Sequence, residues 1–187
     1  SSTNELANEE SKCIIDVEKE ALVVISEAVD AIGDRFAIYG FSGYGRDQVA
    51  FYIAKDIDES WDDVTRARIG KMSWKMENRD GAAIRHCTAK MANWTEKNRV
   101  MILLSDGKPL DCGCSQYSDT YAQQDTKMAL RDAKRIGVQP FCITVDPYGQ
   151  DYLQEMYGNA GYIVIDRIEM LSSIISKEYR RITLFVV

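Results

Sequence analysis

The sequence predicts an α/β fold in which a Rossmann-like, open and mostly parallel sheet is flanked by helices. Three observations predict it. The runs at residues 100–104 and 141–145 are short, apolar and free of charge, the mark of strands covered on both faces. Between such runs lie segments with apolar side chains at helical spacing. The connections are short, so strand and helix alternate as βαβ units do. The 187 residues, 45% hydrophobic and 28% charged, can form one core without disulfide or metal staples, and a single domain over residues 1–187 is expected.

In chain order, residues 14–32 align Ile14, Val17, Ala21, Val24, Ile25, Ala28 and Ile32 on one stripe, and Gly33 stands where a left-handed cap closes a helix. Residues 35–41 and 48–53 are β-rich, and the glycine-bearing stretch 42–47 between them reads as the turn of a hairpin. A charged helix is expected over 61–72. Another follows over 81–94, with the Asp80 carboxylate as its amino-terminal cap. The apolar strand 100–104 stops at Ser105-Asp106-Gly107. Asp125 is placed to cap a helix over 126–136 that Gly137 closes, and strand 141–145 follows. A helix near 150–157, a strand at 162–165 and a last helix to about residue 181 complete the order.

Composition excludes several functions. With 29 acidic and 23 basic side chains the net charge is −6, and the scattered Lys and Arg form no footprint for a phosphate backbone, so nucleic acid is not the expected partner. No run approaches the roughly 20 apolar residues that span a bilayer, and no signal-peptide pattern opens the chain. Five cysteines, irregularly placed, point to a reducing, cytoplasmic setting. The chain starts at Ser1 without Met, as expected of a domain excised from a longer polypeptide.

In sheets of this kind ligands sit beyond the carboxyl ends of the strands. Three segments are expected there: Ser1-Ser2-Thr3-Asn4, Asn78-Arg79-Asp80-Gly81 and Ser105-Asp106-Gly107. Their donors are hydroxyl, amide and carboxylate oxygens, a set suited to Mg²⁺ or a similar hard cation. Each has a plainer reading, since Asp106 sits in a turn-forming tripeptide, Ser1 and Ser2 stand at a terminus, and Asp80 suits a helix cap. The one histidine, His86, cannot build a zinc cage. Next to Cys87 on a helix it is a poor nucleophile partner, and a partly buried structural role is expected. Cys112-Gly113-Cys114 lacks further soft-metal ligands and reads as free thiols. Gly40, Gly43 and Gly45 make no dinucleotide fingerprint or phosphate loop, and no serine elbow, zincin helix or carboxylate pair marks an enzyme.

The order of these elements, with Leu104-Ser105-Asp106-Gly107-Lys108-Pro109 after a buried strand, resembles a von Willebrand factor A domain and its metal-ion-dependent adhesion site. More narrowly, residues 16–22, 33–37, 40–42, Gly81-Ala82-Ala83-Ile84-Arg85-His86, 106–109, 125–126 and 140–146 resemble, in order, the carboxy-terminal domain of the nitric oxide reductase activation family, NorD. The resemblance implies Mg²⁺, Mn²⁺ or Ca²⁺ held by Ser1, Ser2, Asn78 and Asp106, with a partner carboxylate completing the shell. Two departures stand out. The family's Asp before the serines does not occur in this sequence, and Asn78 replaces its Thr. The first, central strand is also expected to be missing from the amino terminus, and the apolar tail 182–187 is a candidate to pair as a strand in its place.

The resemblance further implies a non-enzymatic interaction module, partnered by a MoxR-class AAA+ ATPase of the NorQ type and acting on nitric oxide reductase. The similar CbbO adaptor, which serves Rubisco, is the nearest alternative. An extracellular adhesion module and a metal-dependent phosphoryl hydrolase are the alternatives from other classes.

Overall fold

A computed structural model describes residues 14–44, 48–73, 79–105, 109, 119–144, 149–158, 161–165, 170, 173–174, 177–179 and 181. Its elements are α1 (Ile14–Ile32), β1 (Ile38–Tyr44), β2 (Gln48–Lys55), α2 (Asp63–Lys71), α3 (Asp80–Met91), β3 (Arg99–Ser105), α4 (Asp119–Arg135), β4 (Val138–Thr144), α5 (Gly149–Tyr157) and β5 (Tyr162–Val164). The α/β class expected from the sequence is the class observed. β1 pairs with β2, and β3, β4 and β5 form a sheet in that order with both pairings parallel.

The chain divides into two compact units, the boundary falling inside β1 and β2. The first takes in the described parts of residues 1–40, 52–74 and 167–180. Ile38, Ala54 and Ile69 form its core, and Leu22, Val23, Phe36, Trp61 and Met72 pack around them. Gly40 faces the end of Met72, whose flexible methyl would have to move aside for a Cβ, 2.5 Å away. α2 opens with a capping box in which the Asp62 carboxylate accepts from the Val64 and Thr65 amides while the Thr65 side chain serves the Asp62 backbone.

β1 starts three residues later than residues 35–41 imply and runs on through Tyr44, absorbing half of the expected turn. The Phe36 carbonyl is taken by the Lys55 ammonium at 2.7 Å. The stripe expected along α1 is wider than its burial: Ala21 is buried, but Val24 and Ile32 are exposed, and Ser26 and Val29 take buried positions instead.

The second unit holds the described parts of residues 41–51 and 75–166, together with Arg181. Ile84, Met91, Met101, Ala129, Leu130, Ala133, Val138, Leu153 and Met156 are among its core residues. The fully buried alanines of α4, Ala122, Ala129 and Ala133, give that helix a small-residue inner face. β4 lies between two neighbours and is buried almost throughout, whereas in β3 only Met101 is fully buried. Apart from Met101, the apolar run 100–104 is half-buried rather than fully buried, and among the described residues β3 pairs with β4 alone, along one edge. Pro140 is tolerated in central β4 because the β5 partners begin only at Cys142.

Two expected caps are corrected. Arg79 occupies the cap position of α3, and Asp80 is the first helical residue, 2% exposed. Asp125 does not cap a helix, because α4 begins at Asp119 and Asp125 is inside it, paired to Arg85. Gly33 and Gly137 close α1 and α4 with positive φ, as the sequence indicates.

Candidate functional site

The carboxyl ends of β3, β4 and β5 are level, with Ser105 opposite Thr144 and Thr144 opposite Val164. At the other edge, Arg99 opens β3, and its guanidinium donates to the carbonyl of Met91 at 2.7 Å and to that of Ile136. The final turns of α3 and α4 are thus tied to the amino edge of the sheet. A 12-residue helix such as α3 extends about 18 Å, so its first turn lies toward the edge where the strands end. That edge is where a crossover sheet places ligands.

Ser1, Ser2, Asn78 and Asp106, the expected metal ligands, lie outside the described residues, as do Thr3, Asn4, Gly107, Cys112, Cys114 and the tail 182–187. What the structure does place is the chain on either side of two of them. Asp106 directly follows Ser105, the end of β3, and Asn78 directly precedes Arg79, the cap of α3. Among the described residues no group of three or more His, Cys, Asp or Glu side chains could hold a metal.

Around the start of α3 the structure assembles a polar cluster in which the expected Arg79-Asp80-Gly81 segment meets Asp125 and Arg85, a meeting the sequence did not indicate. Arg79 and Asp80 are both buried. The Asp125 carboxylate lies over Gly81, where a Cβ would come within 2.1 Å of its Oδ2. Its Oδ1 is 2.6 Å from Arg85 Nη2, which also donates to the Asp125 carbonyl at 3.2 Å. An anion at the first turn of a helix is electrostatically favoured. The available signal was Gly81 itself, a glycine in the first turn of a helix, where no turn needs one.

Arg79 packs under the Cα of Gly43. His86 is exposed rather than partly buried, although its ring rests on Phe51 with centroids 4.3 Å apart. Behind the cluster, burial pushes the Cys142 thiol up to about 12, with the nearby Asp80 charge acting in the same direction. The Tyr157 hydroxyl bonded to Cys142 is pushed up as well, first by burial. The Cys87 thiol is also raised to about 12 by burial. Neither thiol is a thiolate at neutral pH, so neither offers a nucleophile.

A parallel three-stranded sheet alternating with helices defines a Rossmann-like α/β domain. The chain belongs to the von Willebrand factor type A domain family, whose model matches residues 15–174. It is 39% identical over 152 residues to Protein NorD of Stutzerimonas stutzeri, covering 81% of this chain and 24% of that protein. With Protein NorD of Brucella melitensis it shares 34% identity over 171 residues, covering 91% and 27%. An uncharacterized protein of Pseudomonas aeruginosa is 36% identical over 174 residues, covering 93% and 28%. The chain thus spans about a quarter of the length of these relatives. No helix among the described residues is long and apolar enough to cross a membrane.

Proposed function

We propose that this domain is a non-enzymatic, metal-dependent docking module of a NorD-like activator. Its partner in this reading is a cytoplasmic MoxR-class AAA+ ATPase that supplies ATP hydrolysis, and together they prepare nitric oxide reductase. The observation that carries the reading is the family match over residues 15–174 combined with NorD proteins at 34% and 39% identity. Two further facts support it. Asp106 follows the end of β3 in the chain, and Asn78 precedes the cap of α3.

The donor set Ser1, Ser2, Asn78 and Asp106 is all oxygen and suits Mg²⁺, Mn²⁺ or Ca²⁺. With one carboxylate among these donors, a bound ion keeps positive charge and accepts an acidic side chain from a partner. This chain's own residues supply the hydroxyl, amide and carboxylate oxygens, and the Asp125 and Arg85 pair steadies the helix that follows Asn78.

The test is capture of the purified ATPase by immobilised domain with Mg²⁺, with EDTA, and with Asp106→Ala. Capture with Mg²⁺ that is lost in the other two, at unchanged circular dichroism, is expected. Equal capture in all three overturns metal-dependent docking. Capture of a CbbO-associated ATPase but not of a NorQ-type one moves the target from nitric oxide reductase to Rubisco.

A further inference from the structure

The second unit carries an exposed stripe on the outer side of α4. Tyr121, Gln124, Met128, Arg131 and Arg135 are all exposed, and they recur at alternating steps of three and four, the spacing that keeps one line along a helix. The opposite face is spent on the core through Ala122, Ala129, Leu130 and Ala133. Tyr121 and Met128 are each 45% exposed, high for large apolar side chains. Tyr, Met and Arg are the residue types that interfaces concentrate, while Lys, Glu and Asp are depleted there.

The stripe is also ordered by charge. Its own side chains are apolar or neutral in the first half, where Gln124 donates to the Glu155 carboxylate at 3.0 Å, and cationic in the second half. Arg131 lies against the Met128 sulfur at 3.7 Å. The Arg135 side chain is 79% exposed, with Asp132 3.8 Å away. On a chain of net charge −6 this cationic half is of the minority sign. Basic side chains in a last turn complement the helix dipole, but that effect does not account for an exposed Tyr and Met on the same line.

We infer that the outer stripe of α4 is a docking surface for an acidic amphipathic helix of a partner protein. Apolar side chains of that helix seat on Tyr121 and Met128, and its carboxylates meet Arg131 and Arg135. This surface is independent of the metal-dependent reading above, so either can fail alone.

Two synthetic helical peptides of about 18 residues match the length of α4. Both carry Leu at heptad a and d positions, one with Glu and the other with Lys at e and g. Fluorescence anisotropy with the whole chain, in EDTA to silence any metal site, should show saturable binding of the Glu peptide and none of the Lys peptide. Met128→Glu should weaken the Glu peptide by about tenfold or more without lowering Tm. The double reversal Arg131→Glu, Arg135→Glu should exchange the preference to the Lys peptide. Equal binding of both peptides, or affinity unchanged by Met128→Glu, overturns the inference. Self-association of the chain that Met128→Glu abolishes also overturns it, by assigning the stripe to a second copy.

Discussion

Gly81 of α3 and Asp125 of α4 are in contact so close that a methyl group at residue 81 would stand 2.1 Å from Asp125 Oδ2. Swinging the carboxylate away would break its contact with Arg85, which lies 2.6 Å from its other oxygen. The glycine is there for an approach between helices, since its own φ is not positive.

Gly81→Ala should therefore destabilise the fold by about 1–3 kcal/mol, the usual cost of overpacking. In an Asp125→Ala background the same change should cost much less, because the colliding oxygen is gone. Denaturant unfolding of the four proteins of this cycle measures the coupling. Additive effects would mean that the two residues do not meet. Asp125→Ala alone should cost little, about 0–1 kcal/mol, since its ion pair with Arg85 is partly exposed.

Arg99 ties two helix ends to one strand through the Met91 and Ile136 carbonyls. Arg99→Met keeps the aliphatic stem and removes both bonds, so a loss of about 2–3 kcal/mol is expected from charged hydrogen bonds. Amide exchange should rise first in the last turns of α3 and α4, and uniform exchange across the unit would contradict the clamp.

The Asp62 carboxyl is held below its ordinary value of 3.8, first by the Thr65 amide. A carboxyl depressed in the folded state contributes stability that is complete above its unfolded value and is lost as pH falls through the folded one. The loss should fall below about pH 4. Glu59 is depressed in the same way, by the Asp56 amide and then by Arg68. Asp62→Asn retains an acceptor for the cap but not the titration, so its Tm should fall less steeply than the wild type between about pH 4 and pH 2. Parallel Tm profiles would remove Asp62 from the acid response.

Both described thiols, Cys87 and Cys142, are raised to about 12 by burial. Iodoacetamide at pH 8 should leave the peptides bearing them unmodified in the folded chain and label them in denaturant. Rapid labelling of Cys87 under native conditions would show that the α3 packing around it opens.

Most elements were legible because each is written locally. The span of α1, the glycines at 33 and 137, and the apolar run of β3 belong to single segments and appear where their own residues direct them, while β4 begins three residues ahead of its apolar run 141–145. The family was legible for a related reason, since it rests on short motifs in order, Gly81-Ala82-Ala83-Ile84-Arg85-His86 above all. Ser1, Ser2, Asn78 and Asp106 stand out as cation-ligand candidates by their oxygen chemistry and by their place in the chain, which is likewise a property of the sequence.

What the sequence did not determine depends on which elements meet. Asp125 and Asp80 both precede good helical stretches and look like caps, but the tertiary structure buries Asp80 in the first turn and turns Asp125 toward Arg85, 40 residues away in the chain. β3 looks like a strand fully covered on both faces, but its side chains other than Met101 are half-buried, because their burial depends on what other segments pack against them. By itself, then, the sequence determined the order of most helices and strands and the family. Only the tertiary structure decided the Gly81 and Asp125 contact, the Arg99 clamp and the exposed line on α4, because each depends on the distance between segments that local propensity cannot encode.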